Sequence, residues 1–132
     1  MIALVSLEAA RSVLGLTAEK VFALVDDGSL LWVFNLGAVK SPKRNLCFWQ
    51  PALHNPKKFA ALDIDEVIAA ILPPARNQYR TTEIRLLFCL GRATAWRLVK
   101  ALGKRTGRGQ WYVERSVLAN FLHWRWVGGK TV

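Results

Sequence analysis

Apolar residues recur at helical spacing twice near the start of the chain. "LEAARSVLG" follows Ser6, a residue whose hydroxyl can cap a helix, and places Glu8 in the first turn, where the helix dipole favours an acid. "AEKVFALVDDG" follows Thr17 and sets Val21, Leu24 and Val25 at i, i+3 and i+4. Gly15 and Gly28 stand where the two helices should end. The pattern then changes: "LLWVF" (30–34) and "LCFW" (46–49) are short continuous apolar runs and predict strands, joined by the basic connection "GAVKSPKRN". "DIDEVIAAIL" puts Asp63 three residues before Glu66 and ahead of an apolar run, a capping-box pattern. The predicted order is helix, turn, helix, strand, strand, helix.

The same order returns after "ILPPARNQY" (71–79). Thr81 or Thr82 is the expected cap of "EIRLLFCLG", Gly91 the turn, and "ATAWRLVKAL" the second helix. "RTGRGQ" reads as a short hairpin turn, "WYV" as its return strand, and Ser116 as the cap of "VLANFLHWR". Residues 66–72 align without gaps with 116–122, although the register slips by one or two residues within the helical pair. Pro73 and Pro74 end whatever precedes them. The expectation is an α+β, mainly helical chain of two tandem modules, 1–72 and 79–132, joined by a proline-containing linker, 73–78. Each module carries a small antiparallel hairpin. What repeats is the architecture more than the sequence.

Composition adds a core and a partner. Of 132 residues, 52% are apolar, enough to bury a core. No run approaches the ~20 apolar residues of a membrane helix, and "MIALVSLEAA" lacks a basic leader, so a cytoplasmic, nucleoid-associated protein is expected. Cys47 and Cys89 sit in apolar runs outside any CxxC pair and read as buried and reduced. The formal charge is +10. Residues 1–72 hold seven cations and seven acids, whereas residues 73–132 hold twelve cations against Glu83 and Glu114, so the whole excess lies in the second half. Charge of that density draws a polyanion, double-stranded DNA first.

"LEAARSVLGLTAEKVFALVDDGSL" resembles the helix-turn-helix of MerR-type regulators and phage excisionases. The likeness rests on Glu8, Ala9, Ala10, Leu14, Gly15, Leu16, Thr17, Val21, Leu24, Val25, Gly28 and Leu30. Small Ala9 and Ala10 let the first helix approach the second, and Gly15 permits the turn between them. The second module resembles the same class more loosely, with Arg85 standing where the second alanine is expected. The resemblance implies two winged helix-turn-helix modules. It also implies DNA binding with the second helix in the major groove and the wing beside the backbone or minor groove.

In the second module Trp96, Leu98, Val99 and Leu102 are the inward candidates. Arg92, Thr94 and Arg97 are expected to read bases, since arginine is the commonest specific reader of guanine, and Lys100 extends that side. Lys104, Arg105, Arg108 and Gln110 form a basic tip suited to phosphate or a narrow minor groove. The first module offers Thr17 and Lys20 on its second helix and Lys40, Lys43 and Arg44 in its connection, but Glu19, Asp26 and Asp27 lie near and repel phosphate. The expected role is an excisionase-like or architectural factor, or a transcriptional regulator, as in a mobile element. A homodimer or a cooperative assembly on DNA suits either. The rival is an adapter whose basic half docks on an acidic partner. His54 and His123 lack ligands at metal spacing, Tyr79 and Tyr112 lack the His/Arg cluster of a strand-transfer site, and "TGRGQ" is no phosphate loop. No enzyme activity, cofactor, membrane partner or small-molecule ligand is expected.

Overall fold

The computed structural model describes residues 3–37 and 45–128. In the first half, β1 (Leu4–Val5) leads into α1 (Leu7–Leu14) and α2 (Ala18–Asp26). The Ser6 hydroxyl accepts the Ala9 amide, and the Thr17 hydroxyl accepts the Lys20 amide, so both predicted caps form. Gly15 takes a left-handed φ of 67° between the helices, and Gly28 takes 83° after the second. Next come β2 (Val33–Asn35), β3 (Leu46–Trp49), α3 (Gln50–His54), α4 (Pro56–Phe59) and α5 (Ile64–Ile71). Asp63 and Glu66 complete the capping box at the start of α5. The second half comprises β4 (Gln78–Arg80), α6 (Thr81–Leu87), α7 (Arg92–Leu102), β5 (Lys104–Arg105), β6 (Trp111–Glu114) and α8 (Arg115–Arg125). The class is α+β, mainly helical, with two small antiparallel sheets.

Each half carries one strand that the pattern did not predict. β1 and β4 are two and three residues long, too short to show alternation, and become strands only by pairing across the fold. The sheet orders are β1-β3-β2 and β4-β6-β5, so the last strand of each half is central. Val5 and Val33 flank Phe48 in the first sheet, and Arg80 and Lys104 flank Tyr112 in the second.

The two helical pairs match in hydrogen bonding. Leu16 N donates to Arg11 O as Leu90 N donates to Arg85 O, and Val21 N to Thr17 O as Ala95 N to Gly91 O. This register corrects three expectations. Cys89, with φ 55°, takes the left-handed place of Gly15, and Gly91 takes the capping place of Thr17 rather than making the turn. Ile84, not Arg85, occupies the position of Ala10, and both are fully buried. Ala95 in turn occupies the place of Val21, so a large residue on one helix is offset by a small one on its partner, which conserves core volume.

Neither Thr81, Thr82 nor Ser116 caps its helix. α6 starts at Thr81 behind Arg80, whose amide donates to Glu83 Oε1, and α8 starts at Arg115 behind Glu114 with no side-chain cap. The gapless match of 66–72 with 116–122 also fails topologically. The helix leaving the central strand directly is α3 in the first half and α8 in the second. Pro56, next to Asn55, stops α3 after five residues, whereas α8 runs for eleven.

One apolar cluster spans both halves: Leu4, Phe34 and Ile71 from one side join Ile84, Phe88, Val113 and Leu118 from the other. A second, around Ala10, Val21 and Phe48, lies within the first half. The seam is also bonded: Ala3 N donates to Leu87 O at 2.9 Å and Arg115 Nε to Leu72 O at 2.9 Å. The end of the chain returns to the first sheet. Trp126 stacks on Trp32 with centroids 5.1 Å apart, its indole N–H donates to Leu31 O, and Val127 N donates to Val33 O.

Candidate nucleic-acid interface

Helix α7 buries Ala95, Leu98 and Val99. Ala93, Trp96, Arg97 and Lys100 share the opposite, exposed face at i, i+3, i+4 and i+7. Arg92 is exposed in the first turn, and Thr94 is half-buried on the flank. Trp96 was expected to point inward, yet it is 40% exposed. Ala95 and Val99 hold the inward phase, which leaves Trp96 at the edge of the outer face. There it meets Trp111 of β6 edge-on, with centroids 5.7 Å apart, and Lys100 Nζ lies 5.5 Å from its ring centre.

That aromatic pair ties the helix to the hairpin. Arg105 pairs with Trp111 across the strands, so strand alternation puts both on the face turned towards α7. Thr106 closes the turn: its amide donates to Gln110 O and its hydroxyl accepts the Gln110 amide. Gly109 has φ 82°, and a Cβ there would come within 3.2 Å of the Arg105 guanidinium that lies across it. Arg108 and Gln110 are exposed in the turn. The contacts therefore run from Lys100 through Trp96 and Trp111 to Arg105 and the turn, with Arg97 beside them on the helix face.

Lys104 is not brought to this face. It pairs with Tyr112, on the other side of the hairpin, and its ammonium donates to Glu114 Oε1 at 2.8 Å. The hydrogen bond and charge of Glu114 raise its pKa, so the cation persists but is already balanced. Arg115, close in sequence, turns to the seam and bonds Leu72 O. Glu83, the other acid of this half, pairs with Arg76. Arg92, Arg97, Lys100, Arg105 and Arg108 make no ion pair with another described residue.

The corresponding face of α2 differs. Glu19, Phe22, Ala23 and Asp26 stand where α7 has Ala93, Trp96, Arg97 and Lys100. Thr17 is exposed but spends its hydroxyl on the cap, and Lys20 is exposed beside it. Lys40, Lys43 and Arg44 lie outside the described residues.

Elsewhere, a cleft of about 610 Å³ at the seam is walled by Trp49, Ile71, Pro73, Tyr79 and Leu87 and shares no residue with the cationic face. Its Arg76 and Glu83 satisfy each other. The Tyr79 hydroxyl is buried with no hydrogen-bond partner among the described residues, and burial pushes its ionisation up against the pull of Arg115 and Arg76. Cys47 is buried as expected, but Cys89, the left-handed residue at the turn, is exposed. Both are free thiols. Burial, with a smaller contribution from Cys89, pushes the Cys47 thiol up to about 12. Of the "HWRW" tryptophans, Trp126 packs inward and Trp124 is 77% exposed. Among the described residues, no group of three His, Cys, Asp or Glu side chains is placed to hold a metal ion, and no helix is long and apolar enough to cross a membrane.

The missed member of the candidate interface is the Trp96–Trp111 pair. Its sequence signal was the spacing of Trp96 one turn before Lys100, on the face that Arg97 and Lys100 share. In comparisons with known proteins, no family model, no curated protein and no solved structure matches the chain.

Proposed function

We propose that the chain binds double-stranded DNA through its second half, with each half acting as a winged helix-turn-helix of the MerR and excisionase kind. Helix α7 enters the major groove, Arg92 and Arg97 reach base edges, and Lys100 meets phosphate. The hairpin lays Arg105, Arg108 and Gln110 on the backbone or in the minor groove. Lys104, held by Glu114 on the other side of the hairpin, stays out of the main contact, and Thr94 contributes only from the flank. The first half serves as the brace, since α2 sets Glu19, Phe22 and Ala23 where α7 has Ala93, Trp96 and Arg97, and Glu19 repels phosphate. The carrying observation is that Arg97, Lys100 and Arg105 lie along one connected face of α7 and the hairpin, while the two acids of this half pair with Arg76 and Lys104 off that face.

The role that fits is an excisionase-like or architectural factor or a transcriptional regulator, without catalysis. The test is a fluorescence-anisotropy titration of a 30-base-pair duplex across a salt series. Three cations on phosphate, Lys100, Arg105 and Arg108, with Arg92 and Arg97 close to the backbone as well, predict a log–log slope of about −3 to −4.5. A slope near zero overturns the reading. Loss of binding to an acidic partner, with DNA retention unchanged, on Arg92→Ala and Arg97→Ala would replace it with the adapter reading.

A further inference from the structure

Resting on the DNA reading above, we infer that Trp96 is a specificity residue that recognises the thymine methyl group in the major groove. Its indole is exposed on the same helix face as Arg97 and Lys100. In a groove that covers this face, the exposed part of the ring is matched best by an apolar partner. The major-groove edge of unmodified DNA offers one, the C5-methyl of thymine. Ala93, one turn earlier on that face, adds no bulk beyond a methyl group and lets the helix backbone approach the base edges.

Two contacts hold the ring in place. Trp111 meets it edge-on from the hairpin, and Lys100 lies 5.5 Å from its centre. The indole therefore presents itself without first being ordered, which limits the entropy lost on binding. Arg97 beside it supplies a bidentate donor for guanine. The pair predicts a site in which a thymine neighbours a guanine.

The test begins with selection of tight duplexes from a random library. The selected duplex is then resynthesised with deoxyuridine replacing thymidine at one position at a time, which removes the methyl and leaves the pairing intact. The expected result is one or two thymines at which the wild type loses about three- to fivefold in affinity, the weight of one buried methyl. Trp96→Ala should bind the thymine and uracil forms equally, whereas Arg97→Ala should bind both more weakly and keep their ratio. Trp96→Phe, which retains a ring against Trp111, should keep part of the preference. Should Trp96→Ala fail to fold, the uracil scan of the wild type and the Phe variant decide the matter. A wild type indifferent to every substitution, or a Trp96→Ala protein that keeps the same preference, overturns the inference and leaves DNA binding standing. Selection that enriches nothing removes sequence-specific DNA reading and the methyl contact together.

Discussion

Cys89 and Gly91 show how single residues trade roles between the halves. Gly15 adopts a left-handed conformation at little cost, whereas Cys89 does so against the steric preference of a residue with a Cβ. Cys89→Gly should stabilise the protein by about 0.5–1 kcal/mol in urea unfolding, and Gly15→Ala should destabilise it by about 1 kcal/mol. The two thiols should also part in reactivity. At pH 8, well below the Cys47 value of about 12, that buried group stays protonated and therefore weakly nucleophilic. A thiol reagent should label exposed Cys89 in the folded protein and Cys47 only after denaturation, counted by mass spectrometry. On the cationic face, Arg105→Ala should weaken duplex binding more than Lys104→Ala, because Glu114 already balances Lys104. Lys100→Ala should lower the salt slope by about 1, as the loss of a phosphate contact does, and Arg97→Ala should lower it less, because that arginine reads a base.

At the scale of elements, the helix pairs were legible from spacing and caps in the first half and only partly in the second. Ser6, Thr17 and Asp63 all cap as their types predict, because a cap is a local bond made within three residues. The second half places arginine and glycine where the first has its serine and threonine caps, so the local signal was absent and the register slipped. Packing restored it: Ile84 fills what Ala10 leaves to Val21. Ile84→Ala should therefore cost about 2–4 kcal/mol, and adding Ala95→Val should recover part of that loss, measured by denaturant midpoints in a double-mutant cycle. The hairpin shows the converse case. Its turn was clear from "TGRGQ", but which of Lys104 and Arg105 faces α7 depends on pairing register, which a shift of one residue would invert.

For the molecule as a whole, one core and several seam bonds tie the halves together, and Trp126 closes the chain onto the first sheet. Unfolding should accordingly be a single transition, with tryptophan fluorescence and far-UV circular dichroism coinciding. Trp126→Ala, which removes the stack on Trp32 and the bond to Leu31, should cost about 3 kcal/mol or more. Amide exchange should speed up in β2 and β3 and in α7 alike. The sequence alone determined the helices with their own caps, the strand at 46–49, the mixed class and the concentration of charge, because each is written in neighbouring residues or in simple counts. The tertiary structure alone decided the strands β1 and β4, the exposure of Trp96, the separation of Lys104 from Arg105, and the seam that joins the halves. Those depend on pairing and packing between residues far apart in the chain, where the energy belongs to the contact and not to either residue.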